Sequence, residues 1–144
     1  MKECLFCNPM SFPEQRIVFE NESCYFLQSP KAQDILEGAG LIIPKEHKET
    51  VFDLSENEWF DTYDLMQKAK KLLDEVYEPD GYSTGWNVKP VGGQSIPHSH
   101  FHIIPRFSDE PLAGKGIRAW IKSEANRRPG KGVEFDKRTL PVFP

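Results

Sequence analysis

A single long amphipathic helix stands among short strand-like runs, and that combination limits the fold more than any other feature of the sequence. Ser55 is a good N-cap and Glu58 follows three residues on, which makes a capping box. Trp59, Tyr63, Met66, Leu73, Val76 and Tyr77 then recur on one side at helical spacing. Lys68, Lys70, Lys71, Asp74 and Glu75 fall largely on the other, as a solvated face. The spacing predicts a helix over Ser55–Tyr77, ended by the turn Pro79-Asp80-Gly81. Arg16–Phe19 and Cys24–Leu27 are β-branched or aromatic runs separated by four polar residues, as in a hairpin. Gly40–Ile43 is a short apolar strand stopped by Pro44, and Tyr82–Val88 and His98–Ile104 read as two more. Short strands around one long helix predict an α+β fold with an antiparallel sheet.

The 144 residues fit one domain, and 38% hydrophobic with 12% aromatic content is enough for one core. Residues 1–107 are expected to form that domain core. Residues 108–144 are rich in Gly, Pro and basic side chains, with a hint of a shorter helix at Ile117–Asn126. They are expected to pack on the same domain as an irregular tail. Within the tail, Lys115, Arg118 and Trp120 have the chemistry to reach a polyphosphate, although a surface turn with one buried Trp accounts for them slightly better. Eighteen basic and 22 acidic residues give a net charge of −4, which argues against a general binder of nucleic-acid polymers but not against a pocket for one nucleotide. No apolar run has membrane-spanning length and no signal peptide is evident, so a soluble cytoplasmic protein is expected. Of three cysteines, Cys4 and Cys7 form a Cys-x-x-Cys pair, a metal half-site or a redox pair in a reducing compartment. The βαβ pattern that accompanies a thioredoxin-like redox pair is absent.

Three of the four histidines lie within five residues, at 98, 100 and 102. In a strand, alternate side chains share a face about 7 Å apart. His98, His100 and His102 therefore face one way, while Ser99, Phe101 and Ile103 face the other and anchor the strand. Three imidazoles on one face have two chemical uses. They can ligate a catalytic metal. Alternatively, one can attack phosphorus while a neighbour stabilises charge. Spacing alone does not separate the two. The preceding Gly92-Gly93-Gln94-Ser95 favours phosphorus chemistry: two glycines admit a bulky anion, their consecutive N–H groups suit an anion nest, and Gln94 and Ser95 add polar side chains. Asn87 can do the same from the preceding strand.

The run Gly-Gly-Gln-Ser-x-x-His-x-His-x-His-Ile-Ile-Pro-Arg, Gly92 to Arg106, resembles the signature of the histidine triad (HIT) superfamily. Gly-x-Gly-Leu-Ile-Ile-Pro-Lys-x-His, Gly38 to His47, and Cys4-Leu-Phe-Cys7 are similar to that family's other landmarks, in the same order. The resemblance covers about Cys4 to Phe107. It implies a HIT-like fold that pairs into a homodimer with a continuous sheet. It also implies a nucleotide hydrolase or transferase acting at an α-phosphate of a phosphoramidate or dinucleoside polyphosphate. His100 would be the nucleophile, its ring N–H held by the backbone carbonyl of His98. His102 would bind the α-phosphate and assist the leaving group, with His98 and His47 in support. Asn87, Gly93, Gln94 and Ser95 match positions at the substrate. In relatives with this N-terminus, Cys4, Cys7, His47 and His98 would hold a structural zinc, with no metal needed for catalysis. Three positions depart from the pattern: Ser99 replaces an apolar residue, Ala39 a histidine, and Gln28 the acidic or Asn residue that contacts ribose, although Gln28 still counts among the substrate-binding candidates. Phe26, Gln28 and Leu36 are candidate pocket walls. A nucleotide-binding or sensing protein without useful turnover, and an enzyme whose catalytic metal the triad holds, remain as rival readings.

Overall fold

The computed structural model describes residues 4–130. The chain divides into two units between Ala113 and Gly114. In the first unit the order is β1 (Arg16–Glu20), β2 (Cys24–Gln28), β3 (Gly40–Pro44), α1 (Glu56–Tyr77), β4 (Gly81–Gly85) and β5 (Phe101–Arg106). The strands form one antiparallel sheet in the order β1-β2-β3-β5-β4. The α+β architecture expected from the sequence is the one observed.

β1 and β2 are joined at Asn21, whose side chain accepts the Cys24 N–H at 3.0 Å and donates to the Asp61 carbonyl of α1 at 2.9 Å. One face of the sheet meets α1. Phe26, Ile42, Phe101 and Ile103 pack there against Leu65, Ala69 and Leu73, with Cys24 beside them. Phe26 pairs with Ile42 and Ile42 with Phe101 across adjacent strands, so this ridge follows the hydrogen-bond direction. Each fully buried Leu contributes about 1.5–3 kcal/mol in transfer free energy. Gly40 must be glycine: a Cβ there would stand 2.3 Å from the Phe26 ring and 2.7 Å from the Leu27 carbonyl oxygen. The opposite face carries Leu27 and Ile43 beneath Phe6 of the N-terminal segment.

The helix is bounded as its caps predict. The Ser55 hydroxyl accepts the Glu58 N–H, and the Glu58 carboxylate accepts the Ser55 N–H. Glu78 in the left-handed region, φ 49°, ends it. The face it buries is only partly the one expected: Leu73 is buried and Met66 and Tyr77 pack against the core, but the other three expected residues do not. Trp59, Tyr63 and Val76 are 48%, 59% and 59% exposed, and the buried positions are Glu58, Thr62, Leu65, Ala69 and Leu73. Small Ala69 and Thr62 sit against the sheet, whereas the bulky aromatics lie on the flank. The Thr62 hydroxyl can be buried because it donates to the Glu58 carbonyl at 2.7 Å.

Three boundaries also shift. β4 ends at Gly85, so Trp86, Asn87 and Val88 leave the ladder. β5 begins at Phe101, so His98, Ser99 and His100 precede the regular strand. The first unit extends past residue 107, because Ser108–Ala113 folds back: the Phe107 N–H reaches Glu110, the Ser108 N–H reaches Asp80, and Arg106 holds the Leu112 carbonyl. In the second unit the Ile117–Asn126 segment runs through turns into one 3-10 turn at Glu124–Asn126, and no α-helix occurs there among the described residues. The part of the expected tail beyond residue 130 lies outside the described residues.

Candidate active site

His102 lies in β5, paired with Leu41 of β3 on one side and Gly85 of β4 on the other. That places it on the face opposite α1. Within β5 buried Phe101 and Ile103 alternate with half-buried His102 and Ile104, as the sequence pattern predicts, whereas His98, Ser99 and His100 ahead of it are all buried. Two bonds replace the ladder before that point. Ser99 N–H donates to the Lys48 carbonyl at 2.6 Å, and His98 N–H donates to the Ile96 carbonyl at 2.8 Å.

The ring nitrogens are assigned by their partners. His100 Nδ1 lies 2.8 Å from the His98 carbonyl oxygen, which can only accept. Nδ1 therefore carries the proton and the lone pair of the neutral ring is on Nε2. The His102 ring is 5.0 Å away, centre to centre. Burial, and then the proximity of His100, hold the His102 pKa below the ordinary histidine value, and its Nε2 is buried without a partner among the described residues. An orphaned polar atom of this kind costs free energy unless something fills the site. His100 and His98 both stack edge-on against Phe6, at 5.2 and 5.9 Å.

His98 is fully buried and its Nε2 donates to the Pro44 carbonyl at 2.8 Å. Its Nδ1 lone pair then faces Cys4 and Cys7, with Sγ atoms at 3.5 and 3.6 Å. His47 Nδ1 is 3.2 Å from the Cys7 Sγ, and the four donor atoms all lie within 4.8 Å of one another. Zinc bonds of about 2.3 Å to sulfur and about 2.0–2.1 Å to nitrogen, at tetrahedral angles, separate nitrogen from sulfur by about 3.6 Å. The donor set and spacing therefore fit such an ion, and the carbonyl behind His98 fixes the ligating tautomer. Burial lowers the His98 pKa to about 4, which keeps it a neutral ligand. Burial and the neighbouring Cys4 raise the Cys7 thiol to about 11, a shift that a bound cation would reverse. Because the His98 lone pair points to the cysteines, the three triad rings do not converge on one ion. That geometry removes the triad-held catalytic metal considered from the sequence.

The loop before the triad differs from expectation. The N–H groups of Gly92, Gly93 and Gln94 donate to the carbonyls of Lys89, Pro90 and Lys89, so they close a turn and form no anion nest. Gln94, expected at the substrate, is buried: its Oε1 accepts the Lys89 N–H at 2.8 Å, and its Nε2 donates to the carbonyls of Glu49 and Ile96 at 2.7 and 3.0 Å. Ser95 is exposed. Gly93, at φ 98°, has the Asn87 carboxamide against it, 3.4 Å from where a Cβ would stand. Gln28 donates to the Gly38 carbonyl at 3.1 Å. Arg106 pairs with Glu110 and bonds Ser83. Lys115, Arg118 and Trp120 are exposed within the second unit. Sequence reasoning missed Phe6, Lys48 and Glu49. Only Phe6, an apolar residue inside the Cys-x-x-Cys turn, left a signal there.

Residues 13–109 match the family model described as the HIT domain. The chain belongs to the HIT domain family. This HIT chain is 34% identical over 80 residues to adenosine 5'-monophosphoramidase hnt1 of Schizosaccharomyces pombe, covering 56% of this chain and 57% of that one. It is 29% identical over 139 residues to bis(5'-adenosyl)-triphosphatase of Dictyostelium discoideum, covering 96% and 91%. A HIT family protein of Bacillus anthracis superposes with a TM-score of 0.67 at 26% identity, over 75% of this chain and 76% of that one. No helix of the described residues is long and apolar enough to cross a membrane.

Proposed function

We propose that this HIT protein is a nucleotide hydrolase that cleaves at the α-phosphate of a nucleoside phosphoramidate or dinucleoside polyphosphate. The observation that carries the reading is the pinned His100 ring: the His98 carbonyl commits Nδ1 to its proton and leaves the Nε2 lone pair to attack. In this reading Nε2 bonds to the α-phosphorus as the bond to the leaving group breaks. Water then cleaves the nucleotidyl-histidine and releases the nucleoside monophosphate. The His102 pKa is held below its ordinary value in the free protein, and its Nε2, unpartnered among the described residues, is the group to hydrogen-bond the phosphoryl oxygen. Negative charge on a bound phosphate draws its pKa back up, towards a proton donor for the leaving group. Asn87, Gly93 and Ser95 remain the candidates beside the substrate, while Gln94 acts through the loop. The names of the relatives, a monophosphoramidase and a dinucleoside triphosphatase, support the two substrate classes.

Cys4, Cys7, His47 and His98 are the residues to hold a structural zinc, which ties the N-terminal segment to the triad and takes no part in the chemistry. Thiol ligands of this kind suit a reducing compartment, in keeping with a cytoplasmic protein. β4 is an edge strand, flanked by Trp86 and the half-exposed Trp59, 5.3 Å apart. Pairing of that edge with its copy in a homodimer would cover it and continue the sheet.

Intact-mass spectrometry of protein quenched during turnover on adenosine 5'-phosphoramidate and diadenosine polyphosphates tests the mechanism. The expected species is a nucleotidyl adduct mapped to His100 and missing from His100→Ala. A His100→Ala protein with normal turnover overturns it. Binding of the nucleotides with neither adduct nor product would favour the sensing-protein reading.

A further inference from the structure

Lys89 adopts φ 65° and ψ 161°. That region belongs almost exclusively to glycine, and a side chain held there is strained. Pro90 follows and further restricts it. Such a conformation persists only where the surroundings over-determine it, and here they do. The Lys89 carbonyl accepts N–H groups from Gly92 and Gln94, both at 3.0 Å. The Lys89 N–H is held by the Gln94 side-chain oxygen, and its ammonium group meets Glu49 at 2.7 Å. The Gln94 amide uses its other end on two more segments, Glu49 and Ile96.

The position of those segments gives the arrangement a consequence for the reaction. The Ile96 carbonyl that receives the Gln94 amide also receives the His98 N–H. Glu49 adjoins Lys48, whose carbonyl holds the Ser99 N–H and whose ammonium group pairs with the buried Glu58 at 3.1 Å. Burial pushes the Glu58 carboxyl up, but the Ser55 backbone and Lys48 outweigh that and hold it below its ordinary value, so the pair stays ionised. The Gln94 amide oxygen therefore holds the strained turn at Lys89, while its nitrogen reaches the backbone that sets the triad along two routes, through Ile96 and through Glu49.

We propose that Gln94 is a positioning residue: its carboxamide clamps the strained Lys89–Gly93 turn and, through the Ile96 and Glu49 carbonyls, sets the backbone of His98 to His100. The inference rests on the hydrolase reading for its kinetic consequence, but the clamp itself is measurable without turnover. Removing the carboxamide frees three bonds at once and lets Lys89 relax to a negative φ. Glycine at position 89 holds φ 65° without strain, so Lys89→Gly compensates for a missing clamp. Lys89→Ala loses the same exposed ion pair but keeps the strain, which makes it the control.

The experiment compares the full-length protein with Gln94→Ala, Gln94→Ala/Lys89→Gly and Gln94→Ala/Lys89→Ala. Readouts are hydrolysis of adenosine 5'-phosphoramidate and backbone amide exchange at Gly92, Gly93 and Gln94. Gln94→Ala is expected to lower kcat/KM about tenfold or more, mainly in kcat, and to speed exchange of all three amides. Lys89→Gly restores a large part of both losses and Lys89→Ala neither. Unchanged exchange, or a loss confined to KM that Lys89→Gly leaves in place, would make Gln94 a substrate ligand and end the proposal. If the parent protein hydrolyses none of the nucleotides, the hydrolase reading fails, and exchange alone decides the clamp. Should Gln94→Ala not fold, the single variants decide: Lys89→Gly is expected to melt above Lys89→Ala, and equal melting overturns the strain argument.

Discussion

Phe6→Ala tests how the N-terminal segment is bound to the active strand. Phe6 is 1% exposed and packs on Leu27 and Ile43 while its ring meets His98 and His100. Deleting a buried phenyl group costs about 3–5 kcal/mol where the surroundings cannot collapse. Phe6 sits in a turn outside the sheet ladder, so a second route is open: the segment can lift away, and the loss is then limited to what its docking contributes. A metal on Cys4, Cys7, His47 and His98 closes that route, because Cys4 and Cys7 flank Phe6 on both sides. The expected result is a loss of about 3–5 kcal/mol in the zinc-loaded protein, falling to about half or less after chelation. Phe6→Leu keeps most of the volume and should cost under about 1.5 kcal/mol in either state. Urea unfolding followed by tryptophan fluorescence, with and without chelator, measures all four numbers. A Phe6→Ala protein within about 0.5 kcal/mol of the parent in both states would refute the packing argument. Equal large losses in both states would refute the coupling to the metal.

Gly40→Ala places a Cβ against the Phe26 ring and the Leu27 carbonyl, so the ladder must shift; a loss of about 3 kcal/mol or more is expected by denaturant titration, and a parent-like midpoint contradicts the contact. His98 is held neutral with its pKa lowered to about 4, so the unfolded chain binds a proton that the folded chain refuses between about pH 6.5 and 4. Stability should therefore fall through that window on acidification, by roughly 3 kcal/mol or less from this group, and a His98→Asn variant that keeps the same acid slope would show the cause to lie elsewhere. Chelation should lower the melting temperature of the parent and leave that of Cys7→Ser unmoved; equal shifts would dissociate zinc from the four residues. Ser55→Ala removes the helix cap and should cost about 1 kcal/mol, with no change in substrate affinity by calorimetry.

Much of this molecule is legible in the chain. The Ser55–Glu58 box marks the start of α1 to within a residue, and each strand lies where β-branched and aromatic residues gather. The His-x-His-x-His spacing gives the shared face, and the Cys-x-x-Cys pair with the later histidines gives the donor set that the fold gathers. These features are local: caps, period-two alternation and ligand spacing depend on neighbours a few residues away, so the sequence carries them directly. What the sequence left open depends on partners far along the chain. It put Trp59, Tyr63 and Val76 towards the core, but the sheet selected the stripe with small Thr62 and Ala69 because those residues admit close approach. It put Gln94 at the substrate, but the amide found Glu49, forty-five residues away, and was buried there. It made Gly92 and Gly93 an anion cradle, but their N–H groups closed a turn that Lys89 could enter only under strain. The sequence by itself determined which groups are present, and in what local order. The tertiary structure decided which lone pairs stay free: the carbonyls of His98 and Pro44 take the opposing ring protons, leaving the lone pair of His100 on Nε2 and that of His98 on Nδ1, facing Cys4 and Cys7.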